Sequence, residues 1–411
     1  RTVIPEHLYL HVPFCLRRCP YCDFAVTVDR RPPVGAWTEA VRAELEALLA
    51  GHGWGAPLAP RTVYVGGGTP SLLGGEGMVA LRRALEGLVD WSAVAEWTAE
   101  ANPESFGADV AREWRDAGVD RVSIGAQTFH EPALRWMGRL HGADGPAAAV
   151  DAARAAGIED VSVDLIFALP ARLGRDWTDD LERALALEPT HLSLYGLTAE
   201  EGTPLGRWVG EGRERLPDEE GYEADYLEAA RRLPAAGLAH YEVSNFARPG
   251  FESAHNRAYW RGAAYLGLGP SAHSYLPPTR WWNLRDWRAY ASAVAEGRSA
   301  LAGRERVEGD AARLEWVWLG LRAAEGLPAD GLGEAALARV RAWERCGWVR
   351  PGDPDSGRVR LSAPGWLILD RLAVELDGSL DAPSGPGAHS ARSRATEAEA
   401  ATSSHATRRR S

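Results

Sequence analysis

Three of the four cysteines fall within eight residues, Cys15, Cys19 and Cys22, in the stretch HVPFCLRRCPYCDF. Thiolates are soft metal donors, and a loop of this length can wrap three of them around one inorganic centre. A closed zinc site wants four ligands, usually in two paired motifs. The remaining Cys346, between Arg345 and Gly347 in a helical stretch far down the chain, makes a poor fourth ligand and reads as an inert buried residue. Three thiolates without a fourth leave one metal position open. The unique iron of a four-iron cluster has such a position, available to a small chelating ligand. Zinc and buried structural thiols stand as the other readings at this point.

A loop of this kind needs a rigid frame. The first two-thirds of the chain alternates short β-rich runs with helical periods. The strand candidates are His7–Val12, Thr62–Val65, Glu96–Glu100, Arg121–Gly125, Val161–Ile166 and His191–Tyr195. Helical periods lie between them, over Trp37–Ala50, Gly77–Leu88, Asp109–Ala117, Gly145–Ala156 and Trp177–Leu187. The AGV at 117–119 and AGI at 156–158 put glycine where a helix must stop before the next strand. About six such βα units predict a parallel sheet in an α/β fold, a partial (βα)6 barrel, with a doubly wound sheet as the alternative. The cysteines follow the first strand, at the end where such folds gather their ligands.

Beyond Tyr195 the pattern becomes irregular and rich in aromatic residues and proline. Near Asp310 it changes again. Helical periods at Asp310–Ala324 and Glu334–Cys346 precede GWVRPGDPDSGRVRLS, two short strands around a turn, and an amphipathic segment Gly365–Leu376 follows. The expected organisation is a barrel core over residues 1–235, an extension over 236–303, a small winged-helix-like α+β module over 304–378 and a disordered tail over 379–411. The tail has one large apolar residue and no aromatic ring, too little to offset its ordering entropy. Residues 310–378 hold nine arginines against eleven acidic residues, which lacks the basic face of a DNA reader and points to a packing or lid role.

Composition narrows the function classes. The 411 residues carry 46 basic and 57 acidic side chains, a net charge of −11, which argues against a general nucleic-acid binder. The chain contains no lysine, so a Schiff-base mechanism is excluded. No run approaches the ~18 apolar residues of a membrane span, and four cysteines cannot staple a scaffold of this size. A cytoplasmic protein is expected.

The spacing C-x3-C-x2-C followed by Phe24 resembles the radical S-adenosylmethionine (SAM) enzymes. LYLHVPFCLRRCPYCDF and YVGGGTPSLL are closer still to the oxygen-independent coproporphyrinogen III oxidase group, over roughly residues 6–376. The resemblance implies that Cys15, Cys19 and Cys22 hold a [4Fe-4S] cluster whose open iron chelates SAM. It also implies reductive cleavage of SAM to methionine and a 5′-deoxyadenosyl radical, which requires an electron donor. Other family-like motifs fall at the strand ends. Tyr9 matches a tyrosine near SAM, and Gly67, Gly68 and Thr69 lie in GGGT, where bare backbone can approach the methionine moiety. Glu100, in EANPE, resembles the family's SAM-binding acid, and Gln127 and Asp164 match two further positions. Glu100 or Asp164 would accept from the ribose hydroxyls. Arg139, in WMGRLH, offers a planar donor fork for the SAM carboxylate.

Residues 253–275 discriminate within that group. His255, Asn256, Tyr259 and Trp260 form HN-x2-YW, which resembles the heme-chaperone branch, the HemW group. The oxidases carry a glutamine near His255 and an aliphatic residue where His273 stands. They also have an extended segment before the cluster and a further cysteine at the position of Phe24. These departures predict a protein without decarboxylase activity that binds heme and passes it to heme-accepting proteins. His255, with Tyr259 and Trp260 packing on the porphyrin, is the expected heme ligand, since imidazole is a common axial donor. His273 has no such match and is read as structural or secondary.

Overall fold

The computed structural model describes residues 3–352 and 356–380. Twelve strands form one open sheet, and six of them match the strand candidates: β1 His7–Val12, β2 Thr62–Gly67, β3 Glu96–Ala101, β4 Arg121–Gln127, β5 Asp160–Phe167 and β6 His191–Gly196. These run parallel, each paired with the next in sequence. The crossovers are the helices Val34–His52, Gly74–Ala84, Ala108–Ala117, Gly145–Ala155 and Trp177–Ala186. Gly118 ends the third of them at φ 110°, a conformation that costs glycine nothing and lets the chain turn into β4. The six βα units expected from the sequence are present.

Alternation along these strands separates two faces. Leu8, Leu10, Val63, Val65, Trp97, Val122 and Val163 join Trp37, Val41 and Leu45 of the first helix in the main core. The alternate residues are polar. Tyr9 pairs with Tyr64, Glu100 with Ser123, Ser123 with Ser162, and Ser162 with His191. A parallel sheet normally reads apolar on both faces. This one reserves its inner face for polar side chains.

The stretch read as irregular contains the other half of the sheet. Its strands are β7 Ala239–Glu242, β8 Asn245–Ala247, β9 Tyr265–Leu268, β10 His273–Leu276, β11 Thr279–Asn283 and β12 Leu301–Arg306. The sheet order is β12-β11-β10-β9-β1-β2-β3-β4-β5-β6-β8-β7. β9 is parallel to β1, and the remaining additions are antiparallel. Buried Glu44, on the first helix, clamps this extension in place. It accepts from the Gly269 amide at 2.8 Å, from Tyr290 at 2.6 Å and from Asn283 at 2.5 Å.

The C-terminal part packs helices Gly309–Arg322, Glu334–Arg345 and Leu369–Asp377 around Val317, Val340 and Leu372. Leu327–Pro328 pairs antiparallel with Arg358–Val359, and Val349 bridges Leu361. Arg322 reaches Glu242 of β7 at 3.0 Å, so this part docks on the sheet edge. Ser379 and Leu380 still make contacts, and the rest of the expected tail lies outside the described residues.

Candidate functional site

The cysteine loop is pinned at its base. Phe14–Cys15 pairs with Thr27–Val28, and the Asp29 amide donates to the Cys15 carbonyl at 3.0 Å. The loop therefore projects from the carboxyl end of β1. Cys15, Cys19 and Cys22 are partly buried and line one cavity of about 390 Å³. Burial pushes the Cys15 thiol up to about 11, and Cys22 and Cys19 add to the shift. A donation from the Thr69 hydroxyl at 3.4 Å opposes it. Thiols in this state release protons when they take a metal. Among the described residues no group of three Cys, His, Asp or Glu side chains forms a ready site for a single metal ion.

The strand ends supply the rest of that cavity. Gly67, Gly68 and Thr69 border it after β2. A Cβ on Gly68 would stand 2.7 Å from the Phe14 carbonyl and 3.1 Å from the Cys15 sulfur, so only bare backbone fits beside the loop. Gly67 has φ 109°, and a side chain there would strike the His11 ring. Glu100 accepts from Tyr64 at 2.8 Å and from the Gly67 amide at 3.0 Å. Burial pushes its carboxyl up to about 7 against those two hydrogen bonds. Asp164 accepts from Ser123 at 2.9 Å, and burial raises it as well. Gln127 sits at a slip in the β4–β5 register with φ 68°, a backbone conformation seldom adopted outside glycine and found often at functional sites.

Arg139 completes the wall. Its Nη2 donates to Asn102 at 2.6 Å and to the Gly125 carbonyl at 2.9 Å, while its buried Nε has no partner. Asn102 donates on to Thr69 at 3.2 Å, and Thr69 to Cys15. The sequence reading missed Asn102 and Tyr64 as site residues. Asn102 follows β3 directly, two residues after Glu100, and Tyr64 shares the inner face with Tyr9; those positions were the available signals. The donor set fits the cluster and SAM: three thiols, a bare glycine strip, buried acids as acceptors and an unpartnered guanidinium N–H beside them.

Two expected residues lie elsewhere. Tyr9 borders a second cavity, where its hydroxyl lies 3.0 Å from His11 Nδ1. Phe24 is exposed and borders both cavities. His255 is 1% exposed, with Nδ1 2.7 Å from the Thr62 hydroxyl and Nε2 2.9 Å from the Tyr259 hydroxyl. Both ring nitrogens are occupied, so this geometry does not support His255 as an iron ligand. Burial lowers its pKa to about 3, the mark of a neutral core histidine.

Residues 9–184 match the radical SAM superfamily. The heme chaperone HemW of Mycobacterium tuberculosis (strain ATCC 25618 / H37Rv) is 39% identical over 383 residues, covering 91% of this chain and 95% of its own length. Heme chaperone HemW of Escherichia coli (strain K12) is 36% identical over 270 residues, 66% of this chain and 70% of the relative. Among solved structures, coproporphyrinogen III oxidase (HemN) from Escherichia coli superposes with a TM-score of 0.75 at 22% identity, covering 92% of this chain and 91% of that one. At that identity the likeness establishes a shared fold. No helix among the described residues is long and apolar enough to cross a membrane.

Proposed function

The chain belongs to the HemW family within the radical SAM superfamily, and on that premise we propose that it is a heme chaperone, binding heme and transferring it to acceptor proteins. The observation that carries the cofactor part of this reading is the single cavity that gathers all three cysteines with Glu100, Arg139 and Asp164. In this reading Cys15, Cys19 and Cys22 hold a [4Fe-4S] cluster. Arg139 meets the carboxylate of SAM, the glycines after β2 lie along its methionine part, and Glu100 or Asp164 accepts from its ribose. A cluster with SAM on its open iron supplies one-electron reductive chemistry, given an external electron donor. The protein's part is to position both groups and limit water. Thr69 and Asn102 fix the Arg139 fork relative to Cys15, and Tyr64 fixes Glu100. A cytoplasmic location belongs to the same reading, supported by four free thiols in a chain that needs a reducing setting to load a cluster.

The deciding experiment runs two assays on anaerobically reconstituted protein. Heme titration should give a Soret shift, and incubation with coproporphyrinogen III, SAM and reductant should yield no protoporphyrinogen. Robust product formation would move the assignment to the oxidase.

A further inference from the structure

The second cavity encloses about 730 Å³, where β1 meets the extension strands β9, β10 and β11. That volume lies within the ~300–1,000 Å³ usual for small-molecule sites. Its wall is aromatic, with Tyr9, Tyr259, Trp260, Tyr275 and Trp282 contributing. Flat rings around a space of this size suit a flat conjugated ligand. Asp23 and Phe24 border this cavity and the cysteine cavity alike, so the two adjoin through that stretch.

Three imidazoles lie at or just behind this wall, and they differ in what their nitrogens are doing. His11 has Nδ1 3.0 Å from the Tyr9 hydroxyl and Nε2 3.2 Å from the Ala25 carbonyl. His255 is also engaged twice, by Thr62 and Tyr259. His273, on β10, is exposed and lines the cavity, its ring stacked on Trp282 at 5.7 Å and 25°. Among the described residues neither of its ring nitrogens has a hydrogen-bond partner. Partial desolvation and the nearby Arg280 lower its pKa, so the ring is neutral at neutral pH and keeps a lone pair to donate.

Charge at the wall is also selective. Arg280 is held by Glu305 at 3.0 Å and by Glu315 at 2.5 Å. Arg285 forms no ion pair among the described residues and gives an N–H only to the Asp23 carbonyl. Arg285 therefore has charge to offer a ligand carboxylate.

Resting on the heme-carrier reading above, we propose that heme occupies this second cavity, with His273 as the iron ligand and Arg285 facing a propionate. Ligation by imidazole is ordinary for heme iron, and the flanking rings sandwich the macrocycle. The sequence motif had directed attention to His255. On this proposal that histidine instead holds Tyr259 in place as part of the cavity wall.

The test is a heme titration of the full chain, read by the Soret band and by low-temperature electron paramagnetic resonance. His273→Ala should bind heme at least ~10-fold more weakly and lose the imidazole signature, and free imidazole should restore it. His273→Cys should exchange that signature for a thiolate one. His255→Gln should keep the wild-type signature, and Arg285→Gln should weaken binding several-fold without altering ligation. Wild-type affinity and an imidazole signature in His273→Ala would overturn the proposal. No Soret shift in the wild-type protein would instead sink the carrier reading itself, so the two failures are distinguishable.

Discussion

The carboxylate of Glu100 lies 2.8 Å from the hydroxyl of Tyr64, and this hydrogen bond joins the walls of the two cavities. Glu100 borders the cysteine cavity, while Tyr64 stacks on Tyr9 of the aromatic one at 6.1 Å. Burial raises the Glu100 carboxyl, and the donation from Tyr64 is the largest effect holding it down. Removing the acceptor should therefore cost more than removing its support. Glu100→Ala is expected to weaken SAM binding ~10- to 100-fold, and Tyr64→Phe only ~5-fold, the worth of one supporting hydrogen bond of ~1 kcal/mol. Equilibrium dialysis of anaerobic protein checks both. Equal affinities in wild type and Glu100→Ala would remove Glu100 from the site.

Each of Cys15→Ala, Cys19→Ala and Cys22→Ala should abolish the full complement of iron and sulfide and the broad visible absorbance of reconstituted protein. Cys346→Ala should leave all three measures unchanged, since Cys346, exposed in the C-terminal part and not buried as its helical setting had suggested, does not line the cysteine cavity. Tight zinc without sulfide in anaerobically purified protein would contradict the cluster.

Acid stability should report the buried histidines. Burial lowers His11 to about 4 and His240 and His255 to about 3, whereas the unfolded chain protonates near ~6.5. Below that pH the unfolded state binds more protons. Their contribution is thus complete above ~6.5 and is lost as pH falls toward the folded values. His255→Gln should flatten the stability curve between ~6 and 4 by up to ~1.4 kcal/mol per pH unit. Urea unfolding at stepped pH measures it, and an unaltered slope would mean that His255 is not held neutral.

Glu44 receives three hydrogen bonds, from Gly269, Asn283 and Tyr290, and joins the first helix to residues more than two hundred positions away. Glu44→Gln turns one acceptor into a donor facing donors, and should cost ~1–3 kcal/mol. Tyr290→Phe should cost ~1 kcal/mol, and a double-mutant cycle should show the two coupled. Additive effects would indicate that the extension is held by packing alone.

Truncation should separate two nearby cut sites. Arg339 donates to Ser379 at 2.6 Å, and Leu380 packs on the core, so ending the chain at Asp377 removes real contacts. A chain ending at Leu380 should match full length in cluster content, SAM binding and thermal stability. One ending at Asp377 should melt a few degrees lower. A loss on ending at Leu380 would show that the later residues are engaged.

The sequence was most legible where local chemistry alone decides structure. The six parallel strands and their helices follow from apolar periods and glycine stops, and each strand in the structure runs at most a few residues beyond its expected end. Glu100, Gln127 and Arg139 reach the cysteine cavity because each stands at or after a strand end, and Asp164 because it lies on the inner face of β5. The extension was hidden. β8 has three residues and β9 and β10 four each, too short for a period to develop between glycines and prolines. His255 shows the other limit. The HN-x2-YW motif marks it as unusual, but whether its ring nitrogens are free depends on Tyr259 and on Thr62, some two hundred residues distant, and that pairing is visible only in three dimensions.

The split between the sheet's two faces has a consequence for how substitutions would be tolerated. Along β4, Val122 and Ile124 point into the packed layer, while Ser123 supports Asp164 beside the cysteine cavity. Neighbouring letters of one strand thus answer to different tests, one to whether the chain folds and the next to what the folded chain can hold. Scored residue by residue for abundance and for ligand retention, such a strand would give two interleaved profiles, out of phase by one position. An insertion of a single residue would shift the phase and hand each duty to the wrong side chain.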